Sequence, residues 1–180
     1  HYPLHWPIVS GPPSTVVNIR LGDSLLNQEI NLKPIVRNTV GIYNAMHALN
    51  PWLNEVFVSG NDDILVKATE LDDPGLTGDT QYNWTVNTTI ITFATIRFNT
   101  DNVWTTTTGG SCSDPPGLDD WECVSDARKV SNHEMGHAQG LSHAGAVPYP
   151  AVMKTGYLQY YIPQSDDVLG IKARYGEYNP

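Results

Sequence analysis

Positive charge is scarce. The 180 residues carry 10 Lys and Arg against 19 Asp and Glu, a net charge of −9. The basic residues form no run, and such a surface repels a polyanion, so nucleic acid is not an expected partner. Long apolar runs are missing as well. None approaches the ~20 residues that span a bilayer, so no membrane-spanning helix is expected. Cysteine occurs twice, at Cys112 and Cys123, with no CxxC spacing that would suggest a thiolate metal site. The chain opens at His1 without an initiator Met, a basic stretch or an apolar stretch, which fits a trimmed, mature product. The length suits a single domain over residues 1–180, able to bury roughly 70% of its unfolded surface.

The acidic residues come in pairs: Asp62-Asp63, Asp72-Asp73, Asp119-Asp120 and Asp166-Asp167. Solvated loops explain such pairs. So would calcium, a hard cation that takes loop carboxylates and carbonyls. The cysteines close a loop rich in Asp, Gly and Pro, "CSDPPGLDDWEC". A disulfide is the expected state, with two reduced thiols the alternative, and it implies an oxidising, extracellular setting. The sequons at Asn83 and Asn87 are compatible with secretion.

Along the chain, the Pro-rich start, "HYPLHWPIVSGPPS", reads as extended surface chain. "TVVNIRLG", "NEVFVSG", "DDILVKAT" and "IITFATIRFN" read as strands, with an edge strand near Thr80–Trp84. "NLKPIVRNTVGIYNAMHALNPW" places Ile35, Val36, Val40, Tyr43, Ala45, Met46 and Leu49 at helical spacing, closed by Asn50-Pro51. "DNVWTTTTGG" and the cysteine loop read as irregular. A second helix is expected from about Cys123 to Gln139, and a third in "SDDVLGIKARYG" with Ser165 as N-cap. The order lacks regular βαβ alternation and predicts an α+β domain with a mixed sheet backed by helices.

Histidine is sparse too, six in all, yet three fall in "HEMGHAQGLSH". On a helix His133 and His137 stand one turn apart on one face. Gly140 is placed for a left-handed helix stop, which can carry His143 back to the same point. Three histidines leave one corner of a tetrahedral zinc open, the arrangement of a catalytic rather than a structural ion. Glu134 adjoins the first ligand and is placed to act as general base on a water there. A chance match to the five fixed positions, in a chain this size, is on the order of 1 in 10,000 or less.

This string and the following Met153 resemble the metzincin metallopeptidases, whose HExxHxxGxxH signature precedes a methionine turn. Within them the matrixin branch is most similar. "AVMKTGY", with Tyr157 four residues after Met153, resembles ALMYPxY. "QSDDVLGIKARYG" resembles QDDxxGIQxLYG, and "ATIRFNTDNVWT" resembles AHFDDDExWT. The resemblance covers most of Ile64 to Gly176. It implies a metzincin-like α+β fold: a mixed five-stranded twisted sheet with an antiparallel edge strand, two long helices behind it and a C-terminal helix. It also implies Met153 beneath the metal, Tyr157 lining the site, and at least one of Asp166 and Asp167 buried under the zinc helix. Substrate would lie along an edge strand, for which Leu76–Trp84 is the candidate and an ordinary loop the alternative. Lys129, one turn before His133, either reaches the pocket for the residue after the scissile bond or is solvated. Departures are Arg97, where matrixins place a histidine for a second, structural zinc, and Asn99, where an aspartate follows. The cysteine loop is foreign to the family's core, and no cysteine-switch propeptide is visible.

The expected activity is a secreted, monomeric zinc endopeptidase acting on protein or peptide substrates, with one catalytic zinc. A zinc amidase with one dedicated target and a silent binding module are the rivals. The intact Glu134 argues against silence.

Overall fold

The computed structural model describes residues 4–7, 16–28, 30–46, 52–73, 75–85, 88–106, 111–113, 122–145, 150–154 and 160–175. Five strands form one sheet: β1 (Val16–Leu21), β2 (Trp52–Glu55), β3 (Ile64–Thr69), β4 (Gly78–Trp84) and β5 (Ile91–Asn99), in the order β2-β1-β3-β5-β4. All neighbours are parallel except β4, which lies antiparallel to β5 at the edge. The alternation in the sequence decides which face turns inward. Val17, Ile19, Leu21, Ile64, Val66, Ala68, Ala94, Ile96 and Phe98 are all buried.

Among the described residues three α-helices of similar length accompany the sheet: α1 (Lys33–Asn44), α2 (Ala127–Ala138) and α3 (Ser165–Tyr175). Helix α1 packs on α2 through a polar seam. Thr39 Oγ1 lies 2.8 Å from Ser131 Oγ, and the Tyr43 hydroxyl donates to the Asn132 carbonyl at 2.7 Å. Helix α1 stops at Asn44, short of the predicted Asn50-Pro51 end. The Asn44 amide instead brackets Leu53, donating to its carbonyl and accepting from its N–H, both at 2.9 Å. That side chain thereby ties the helix end to β2.

Other expectations need correcting. The strand read in "NEVFVSG" ends at Glu55, and Phe57 and Val58 stand exposed beyond it. The stretch read as irregular contains a second sheet, β6 (Val103–Thr105), β7 (Ser111–Ser113) and β8 (Glu122–Asp126), ordered β6-β8-β7. The second helix therefore starts at Ala127, not near Cys123: Val124 pairs with Val103 in the small sheet, and the Asp126 carboxylate caps α2 by accepting from the Arg128 N–H at 3.0 Å. Ser165 is the first residue of α3 rather than its cap. Asp167 reaches back instead, accepting from the Gln164 N–H at 2.7 Å, one half of a capping box. Part of the N-terminal segment is core. Trp6 is buried and donates its indole N–H to the Ala138 carbonyl at 2.8 Å, at the end of α2.

Several members of the aspartate pairs within the described residues serve protein contacts. Asp62 pairs with Arg20, Asp63 accepts from the Asn18 N–H and Asp73 from the Gly75 N–H. Asp119 and Asp120 lie outside the described residues. Among the described residues no helix is long and apolar enough to cross a membrane.

Candidate metal centre

Helix α2 is buried along nearly its whole length, so its polar side chains are held by the fold rather than by water. The helix ends in a Schellman motif: the Leu141 N–H returns to the Gly136 carbonyl at 3.0 Å, and the Gly140 N–H to that of His137. Gly140 has φ +84, as the sequence predicted. A Cβ there would also collide with the Leu4 carbonyl, so the N-terminal segment closes over this turn.

The turn brings three imidazoles together. The Nε2 atoms of His133, His137 and His143 stand 3.2 Å (133–137), 3.1 Å (137–143) and 3.3 Å (133–143) apart. A tetrahedral zinc with bonds of about 2.0–2.1 Å holds its nitrogen ligands about 3.3–3.4 Å apart. The tautomers agree. His133 Nδ1 lies 2.7 Å from the Val152 carbonyl, and His137 Nδ1 lies 2.8 Å from the Leu141 carbonyl. A carbonyl only accepts, so both Nδ1 atoms carry the proton and both Nε2 lone pairs face each other unprotonated. That repulsion is relieved by a cation between them. Burial favours the neutral, ligating form, lowering the His133 pKa and pushing that of His137 down to about 4. The triad is the one such cluster of three or more His, Cys, Asp or Glu among the described residues.

Glu134 is buried beside the triad. Its Oε2 accepts from the Thr80 hydroxyl on β4 at 2.8 Å. Loss of hydration raises its pKa to about 7, which the Thr80 bond partly offsets. Below the helix lies Met153, 2% exposed. Gly136 makes room for it: a Cβ there would overlap the Met153 sulfur and come within 2.9 Å of the Tyr43 hydroxyl. The segment Ala151–Met153 is held by Asp167, whose carboxylate accepts from the N–H groups of Val152 (2.8 Å) and Met153 (3.1 Å). One member of the final aspartate pair is therefore buried and bonded, as the resemblance implied.

Sequence reasoning missed several participants. Thr80 gave no signal, because it meets Glu134 across 54 residues. Gly136 did give one: a glycine inside a helix costs about 1 kcal/mol relative to alanine, which suggests that the space is needed. Lys129 is buried rather than solvated. Tyr157 lies outside the described residues, as do the side chains of Cys112 and Cys123. Arg97 is engaged in a two-pronged ion pair with Asp79, its cross-strand partner. Asn99 is a fully buried hub, donating to the Leu76 carbonyl at 2.9 Å and accepting from the Leu71 and Asp101 N–H groups.

The family model for matrixin matches residues 54–176, from the end of β2 through α3. No curated protein sequence matches the chain. The match covers more than two thirds of the chain, and within it lie the converging imidazoles, the methionine turn and strands β3, β4 and β5, including the antiparallel edge. The chain is accordingly a member of the matrixin family of zinc metalloendopeptidases.

Proposed function

We propose that the protein cleaves internal peptide bonds of extended substrates, with Glu134 as general base. The observation that carries this reading is a buried glutamate that directly follows, on the same helix, the first of three histidines whose Nε2 atoms converge. His133, His137 and His143 would hold zinc. When bound, the ion supplies Lewis acidity toward a carbonyl and makes water a better acid. Glu134 Oε1 takes the proton of the attacking water and passes it to the departing amine nitrogen. The Val152 and Leu141 carbonyls keep the imidazoles in their ligating tautomer. Met153 gives the site an apolar floor.

Among the described residues strand β4 pairs only with β5 in its sheet, so its outer edge can receive a peptide as an added strand. Lys129 is read as lining the pocket for the residue after the scissile bond. We further read Cys112 and Cys123 as a disulfide. Strands β7 and β8 set them directly opposite in an antiparallel pair, where Cα atoms lie about 4.5–5.5 Å apart, within disulfide reach. A disulfide in turn supports an extracellular setting.

Incubation with a peptide library, with and without a zinc chelator, tests the reading. Internal bonds should be cut only without chelator. Glu134→Ala should keep zinc and fold while losing activity by several orders of magnitude. A zinc-loaded Glu134→Ala enzyme that cleaves at the native rate would refute the assigned base.

A further inference from the structure

We infer that Thr80 is a positioning residue for Glu134, through which the edge strand that receives substrate and the group that moves the proton are held as one unit. This rests on the reading of Glu134 as base.

The geometry is a clamp. Side chains alternate along β4, so Gly78 and Thr80 turn to the face packed on α2 while Asp79 turns away. A Cβ on Gly78 would stand 2.8 Å from Val130 Cγ1 and 2.9 Å from the Arg97 carbonyl, with Glu134 Cγ at 3.5 Å. The strand thus lies against the helix where Glu134 emerges. Two residues on, Thr80 Oγ1 reaches Glu134 Oε2 at 2.8 Å and also sits 3.0 Å from the Glu134 carbonyl. One hydroxyl therefore contacts both the side chain and the backbone of the same residue. Its β-branched side chain has little rotamer freedom, and its backbone is fixed opposite Ile96 in the ladder. On the other face the Asp79–Arg97 ion pair resists sliding of β4 along β5.

The chemical consequence concerns which oxygen works. Oε2 is occupied by the Thr80 proton, which leaves Oε1, with no protein hydrogen bond among the described residues, to accept the proton of water. Without Thr80 the carboxylate can rotate, and both oxygens exchange between orientations. A misplacement of about 1 Å next to the reacting atoms costs up to about 100-fold in rate. A peptide adding to the outer edge of β4 also presses on the strand that carries Thr80.

Thr80→Val and Thr80→Ser test the inference. Valine keeps the shape and lacks the hydroxyl, whereas serine keeps the hydroxyl. The expected result is a kcat about 10- to 100-fold lower in Thr80→Val, with KM within about twofold and zinc content equal to the parent, and restoration to near the parent rate in Thr80→Ser. Crystal structures of the two variants give a readout independent of activity. The Glu134 carboxylate should leave its place against β4 in Thr80→Val and keep it in Thr80→Ser. A parent-like kcat or an unmoved carboxylate in Thr80→Val overturns the inference, as does a serine variant as impaired as the valine variant. Glu134→Ala separates the two levels. If it is inactive while Thr80→Val is unimpaired, the role of Thr80 alone fails; if it remains active, the assignment of the base fails and that of Thr80 with it.

Discussion

Replacing Asp167 by Asn should reach from the start of α3 to the metal ligands. The carboxylate is 3% exposed and accepts three backbone N–H groups, from Val152 (2.8 Å), Met153 (3.1 Å) and Gln164 (2.7 Å). Val152 and Gln164 share Oδ2, and Met153 uses Oδ1. An asparagine keeps one acceptor oxygen. In either amide orientation at least one N–H then faces an NH2 group. Hydrogen bonds to a charged group are worth about 1.5–3 kcal/mol, and a buried orphan donor adds its desolvation cost. The loss should be about 2–4 kcal/mol, or about 4–16 °C in melting temperature for a chain of this size. Zinc affinity should fall as well. The peptide between Val152 and Met153 donates its N–H to Asp167 and accepts from His133 Nδ1 at its carbonyl, and loss of such an outer partner costs about 10- to 100-fold in metal affinity. Thermal melts of metal-free protein and a zinc competition titration measure the two effects. A melting temperature within 1 °C or so of the parent, together with unchanged zinc affinity, would sink the idea that Asp167 holds the methionine turn and through it His133.

Metal analysis of dialysed protein should give about one zinc per chain, lost on chelation together with activity. A value near two would show that the Arg97–Asp79 pair does not stand in for a second metal site. In the metal-free protein the folded pKa of Glu134 is raised to about 7 from 4.5, so the fold disfavours its charged form and stability drops as pH rises across that interval. Glu134→Gln has no such loss. Its melting temperature relative to the parent should therefore increase between about pH 4.5 and pH 7, and a flat difference would argue against the raised value. Thiol titration of denatured, unreduced protein should find no free thiol, and two would remove the proposed Cys112–Cys123 bridge.

What the sequence determined by itself was the local part of this protein. His133 and His137 share a helix face because they are four residues apart, and Gly140 stops the helix because it alone takes positive φ without strain. The metal triad lies within eleven residues and needs little from elsewhere. Strands β1, β3 and β5 of the main sheet were legible because alternation records which face is buried. The strand read in "NEVFVSG" overran because its apolar residues follow the last paired position. The small sheet β6-β8-β7 was hidden in polar stretches whose pairing no periodicity records, and the residues of β8 were absorbed into the helix they precede. The reading of helix α1 ran past its end because Asn44, where it stops, binds Leu53, a tertiary contact that no local breaker announces. Only the tertiary structure set Thr80 against Glu134, Asp167 under Met153, Asp79 against Arg97 and Trp6 over the end of α2. Each joins segments 14 to 132 residues apart. Periodicity records what a residue's chain neighbours require, whereas partners brought together by strand register and helix packing leave no mark at either residue alone.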